Sequence, residues 1–156
     1  MNFLRKMDEL CHSLSISQAR MFERSVEDGI PSHFFIKSFM LSNEVRQLDK
    51  LNLESVGITE TEIYFSIKDK IKTTRGEVLP YPIMHFLGYF YRSAAYLSNL
   101  SSSYLLKNIP PRFLINNYKT LHSLSIEEAI KESFIVNKIE IKTNEERFIE
   151  IYKTLL

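Results

Sequence analysis

Three times the chain sets a serine or threonine three residues ahead of a glutamate at the head of an apolar run. The pairs are Thr59 with Glu62, Ser125 with Glu128 and Thr143 with Glu146. Each is a capping box, in which the hydroxyl accepts from an amide of the first turn and the glutamate reaches back to the cap. Ile58 and Ile63 flank the first box as a hydrophobic staple. Ser17, between Ile16 and Met21, and Ser32, after Pro31, are further candidate caps, and Gly29 and Gly57 stand where helices would end. So many helix boundaries leave little room for a sheet. Only 4 Gly and 5 Pro argue against an all-β chain rich in tight turns.

The signals predict an all-α, single-domain bundle over 1–156, about eight helices around a central apolar one at 83–98. Helices are expected near Phe3–His12, Gln18–Asp28, His33–Leu41, Asn43–Ser55, Glu60–Lys72, Ile83–Ser98, Ser102–Asn108 with Pro111–Leu121 behind it, and Ile126–Asn137, with a last one near Asn144–Leu155. Thr73–Tyr81, with Gly76 and Pro80, reads as a loop, and alternating residues predict a short extended segment at 138–142.

Charge narrows the function classes. Twenty basic and 19 acidic residues leave a net +1, which gives no bulk attraction to nucleic acid or an anionic membrane. The densest basic cluster, Lys68, Lys70, Lys72 and Arg75, reads as a solvated helix end. The lone Cys11 fits a reducing compartment and a core position. The first fourteen residues are too charged for a signal peptide, and Ile83–Leu97 is too short and too polar to span a bilayer. A cytoplasmic protein without membrane contact is expected.

No motif for catalysis, phosphate cradling or metal binding occurs. There is no G-x-S-x-G, no G-x-x-x-x-G-K-[ST], no H-E-x-x-H and no C-x-x-C, and none of His12, His33, His85 and His122 pairs with a ligand at metal spacing. The reading is of a non-enzyme without cofactor or metal, the minor alternative being a small enzyme with His85, Tyr89 and Arg92 as acid/base and anion-binding groups.

Candidate contact residues concentrate on the 83–98 helix. His85, Tyr89, Arg92 and Tyr96 follow i, i+4, i+7, i+11 and share one face, with Tyr81 extending it. Tyr and Arg are enriched at binding hot spots, which makes this stripe the predicted partner surface. The alternative is an internal bridge from Arg92 to Glu23, Glu27, Glu54 or Glu128, since a guanidinium in a packed helix needs an acceptor. Ser101 and Ser102 head the next helix, as an N-cap or as an anion site.

Three stretches carry a family resemblance. They are Ile36-Lys37-Ser38-Phe39-Met40-Leu41-Ser42 followed by Leu48-Asp49, which resembles F-x-x-x-F-M-x-S and then x-D, Gly88-Tyr89-Phe90-Tyr91-Arg92 with Tyr96, and Ser101-Ser102 followed by Lys107, Tyr118 and His122. Together they resemble small helical bacterial proteins encoded beside toxin genes, often ADP-ribosyltransferase-like ones, in toxin–antitoxin-type modules. Ser93-Ala94 stands where that family often has Tyr-Trp. The resemblance implies an antitoxin or immunity-type protein that neutralises a cognate toxin by direct contact. A different expectation, a helical regulator binding operator DNA of its own operon, would use Pro31–Leu41 with Asn43–Ser55 as a helix pair, carrying Arg46 and Lys50.

Overall fold

The computed structural model describes residues 5–50, 59–140, 149 and 152–155. The fold is all-α, and no strand occurs among the described residues. Among the described residues up to 140, nine helices follow in order: α1 (Glu9–Glu27), α2 (Ser32–Met40), α3 (Asn43–Asp49), α4 (Glu60–Lys70), α5 (Tyr81–Ser98), α6 (Ser102–Asn108), α7 (Pro111–Asn116), α8 (Tyr118–His122) and α9 (Ile126–Val136). Residues 149 and 152–155 are also helical.

The cap residues behave as their chemistry requires. Thr59 accepts from the Glu62 amide and Ser125 from the Glu128 amide, each at 3.2 Å. Ile58, Gly57 and the Thr143–Glu146 box lie outside the described residues. At the C-terminal end of α1, Gly29 adopts φ 65° and its amide donates to the Val26 carbonyl, while the Ile30 amide donates to the Ser25 carbonyl. This paired closure ends the helix and buries Ile30. The same closure ends α9, where Lys138 takes the left-handed conformation at φ 56° and the Ile139 amide reaches Phe134. The expected extended segment at 138–142 is therefore a helix stop over its described part, 138–140.

Four other expectations need correction. Phe3–His12 and Gln18–Asp28 are not separate helices, because α1 runs unbroken from its cap at Asp8, whose carboxylate accepts from the Cys11 amide at 2.7 Å. Ser17 is not a cap: mid-helix, its hydroxyl donates to Glu60 at 2.8 Å. Pro111–Leu121 divides at Asn117, which folds its amide back on the Phe113 carbonyl at 2.8 Å. Ser32 is not a cap either: it is the first helical residue of α2, and its hydroxyl accepts from the Leu79 amide at 2.8 Å, which pins the 71–80 loop.

α5 is the hub and packs against α1, α6, α7 and α9. It lies antiparallel to α1, as the pairings of Tyr81 with Glu27, His85 with Glu23, Ser93 with Ser15 and Tyr96 with Asp8 require. Gly88 sets their closest approach. A Cβ there would stand 2.9 Å from the Ala19 Cα and the Gln18 carbonyl oxygen, so only hydrogen fits. On one side of this pair Phe22 meets Phe35 and Phe39 edge-on, at 5.4 and 5.1 Å between centroids. On the other, Phe90, Tyr91, Leu105, Leu114 and Ile130 close the core. Truncating such a buried phenylalanine to alanine costs about 3–5 kcal/mol. Cys11 is buried here, and desolvation pushes its thiol up, which keeps it protonated.

Candidate functional site: a ring-lined groove beside a sealed arginine

The predicted stripe on α5 divides. Arg92 is inside the protein, only 2% exposed. Its Nε donates to Gln18 Oε1 at 2.8 Å, Nη1 to Asp49 Oδ1 at 2.8 Å and Nη2 to Ser102 Oγ at 3.2 Å. Asp49 in turn accepts from the Ser102 amide at 2.8 Å and from its hydroxyl at 2.6 Å. Burial pulls the guanidinium down from its ordinary value, and the Asp49 carboxylate opposes that shift. Among the described residues no buried side-chain nitrogen or oxygen lacks a partner.

This network corrects two expectations. Arg92 belongs to no contact surface, and its carboxylate is Asp49 rather than Glu23, Glu27 or Glu128; Glu54 lies outside the described residues. It also shows what Ser101 and Ser102 do. Ser101 caps α6 by accepting from the Tyr104 amide at 3.2 Å. Ser102 does meet an anion, the carboxylate of Asp49 in the same chain. Gln18, Asp49, Arg92 and Ser102 thus meet at one buried point that ties α1, α3, α5 and α6 together.

Tyr96 is removed from the stripe as well. Its hydroxyl donates to Asp8 Oδ2 at 2.8 Å, and Arg5 stands 5.9 Å from its ring centre. It braces the α1 cap at the far end of α5.

Tyr81, His85 and Tyr89 do come together, on the wall of a groove of about 620 Å³ between α1, α5, α8 and α9. That volume lies in the range of ligand and anchor pockets. The floor is apolar: Ile16 from α1, Phe86 from α5, Leu121, and Ile126 and Ala129 from α9. Tyr118 and His122 face the α5 wall, with Tyr118 edge-on to Phe86 at 5.4 Å and His122 against Tyr118 at 5.0 Å. The α5 wall is a chain of polar pairs with α1. His85 Nδ1 and Glu23 Oε1 are 2.6 Å apart, His12 Nδ1 and the Tyr89 hydroxyl 2.7 Å, and the Tyr81 hydroxyl donates to Glu27. The His85 and Tyr89 rings are near parallel at 10°.

These pairs fix the chemistry of the wall. The His85 side chain is 43% exposed, so its ring is anchored at one nitrogen and presents an open edge. Desolvation raises the Tyr89 hydroxyl from its ordinary value, and the Glu27 hydrogen bond pushes Tyr81 up to about 12. Both phenols stay protonated and neither is activated as a nucleophile. Among the described residues no three His, Cys, Asp or Glu side chains gather as metal ligands, and no helix is long and apolar enough to cross a membrane.

His12, Ile16 and the α8–α9 residues were not anticipated. Ending the first helix at His12 hid the face on which His12, Ile16 and Glu23 line up, and only Tyr118 with His122, four residues apart, gave a signal for the opposite wall. Comparison with protein-family models, with curated proteins and with solved structures finds no match for the chain.

Proposed function

We propose that this chain is an antitoxin or immunity-type protein that neutralises a cognate toxin by direct contact, with the groove beside α5 as the grip. The observation that carries the reading is the groove itself, an open trough with an apolar floor and preset Tyr81, His85 and Tyr89 on its wall. Interfaces are anchored by aromatic side chains that fill, or form, such desolvated recesses, while the rim adds little. Each wall side chain is already held by a partner on α1, so little rotamer freedom is lost on binding. The resemblance to proteins encoded beside toxin genes supplies the kind of partner. Arg92 supports the site from inside, by fixing α5 against α1, α3 and α6.

The experiment is co-expression with the product of the neighbouring gene. The two proteins are expected to purify as one complex, and growth arrested by the neighbour to resume when this chain is present. Separate purification with growth still arrested would remove the reading.

A further inference from the structure

Seven of the groove's fourteen lining residues carry an aromatic ring, imidazoles included, and three of the chain's four histidines are among them. Charge does not select an occupant here. Glu23 is paired with His85 at 2.6 Å, and in the adjoining recess Arg20 and Arg24 stand with Glu23, Glu27 and Glu60, so neither sign prevails. Hydrogen bonding along the wall is only partly spent. The Tyr81 and Tyr89 hydroxyls are engaged by Glu27 and His12. His12 and His85 bond through Nδ1 alone, and the His122 nitrogens hydrogen-bond no other described residue. Ring surfaces and imidazole nitrogens are therefore what the groove offers. Such a nitrogen donates or accepts according to its tautomer.

Two ring-bearing walls stand over a floor that includes Ile126 and Ala129. A ring that enters such a slot buries its face on the aliphatic floor and meets the wall rings edge-on or offset, a geometry that adds to the gain from buried area alone. An aliphatic side chain fills the same space without that addition and has no group for the imidazole nitrogens. We infer that the toxin segment received by this groove is anchored by a tyrosine or tryptophan side chain, its ring between the α5 and α8 walls and its O–H or N–H on an imidazole nitrogen. The inference rests on the toxin-binding reading for the identity of the partner. The ring preference belongs to the groove itself and is measurable without the toxin.

The test titrates the isotopically labelled full chain with p-cresol, which is the side chain of tyrosine, and follows amide shifts. The controls are 4-methylcyclohexanol, the same skeleton saturated, and 4-methylanisole, the same ring without the O–H. p-Cresol is expected to perturb residues 81–89 and to bind about three- to tenfold tighter than the saturated alcohol, the size of one aromatic pair beyond the area it buries. 4-Methylanisole should fall between them. Tyr118→Leu keeps apolar bulk and removes one ring, so p-cresol should drop toward the saturated alcohol, whose own binding stays unchanged. His122→Leu, on the exposed rim and outside the core, should lower the same ratio. Equal or tighter binding of either control, an unchanged ratio in both variants, or no shift in 81–89 with millimolar p-cresol would overturn the inference. The two readings fail separately. If the toxin co-purifies while p-cresol shows no preference, the aromatic anchor is wrong and toxin binding stands. If p-cresol binds as described and no toxin is captured, the groove has its chemistry and another partner.

Discussion

From Tyr81 to Tyr89, α5 turns its polar side chains to a groove; from Arg92 to Tyr96, the continuation of the same stripe is consumed within the protein. Helical spacing places His85, Tyr89, Arg92 and Tyr96 on one face, but what covers the face changes along its length. Near Arg92 the covering is α3 and α6, which bring Asp49 and Ser102 to within hydrogen-bond reach. Near His85 only α1 closes one side, and α8 and α9 stand off across the groove. A side chain enriched at interfaces becomes part of the core when a carboxylate from a distant helix can reach it.

The comparison is broken most severely from the sealed half. Asp49→Ala leaves the Arg92 guanidinium buried without its counter-charge, and urea unfolding should show a loss of about 3–5 kcal/mol. A protein of unchanged stability would mean that the guanidinium is not sealed. Gly88→Ala acts at the boundary between the halves, forcing a methyl against the α1 backbone. A loss of about 1–3 kcal/mol is expected from the same measurement. In the open half, Tyr89→Phe removes only the bond to His12, and the expected change is about 1 kcal/mol or less, because that pair is exposed to water.

The smallest effect is on pH dependence. The Asp8 carboxyl, held below its ordinary value chiefly by the Cys11 amide and then by Tyr96, braces the exposed far end of α5; Asp28 is held down chiefly by Tyr64. A carboxyl depressed in the folded state contributes stability above its unfolded value and loses it as pH falls through the folded one. The urea midpoint should therefore drop between roughly pH 5 and pH 3, and Asp8→Asn should flatten that drop. An equal drop in the Asp8→Asn protein would remove Asp8 from the account.

Local chemistry made much of the fold legible. Thr59, Ser125 and Ser101 each cap the helix that follows them, and Gly29 ends α1, because a cap is decided within four residues. The unbroken α1 was hidden because serines at 13, 15 and 17 mimic a turn; Ser15 and Ser17 instead bond to Ser93 and Glu60, on helices remote in sequence. The partner of Arg92 was hidden for the same reason. Asp49 lies 43 residues away, and nothing in local pattern distinguishes a short carboxylate that reaches inward from the glutamates that do not. Of the site, Tyr81, His85 and Tyr89 were readable as one face of a helix, whereas the opposite wall depends on where α8 and α9 pack.

The most direct test pairs one substitution from each half and reads toxin capture and thermal midpoint on the same samples. The account predicts that Tyr89→Ala melts close to the parent and loses about 2 kcal/mol of toxin affinity or more, while Asp49→Ala melts much lower and its folded fraction still captures the toxin. Full capture by Tyr89→Ala, or an unchanged midpoint for Asp49→Ala, would contradict the division of α5 into an open and a sealed half.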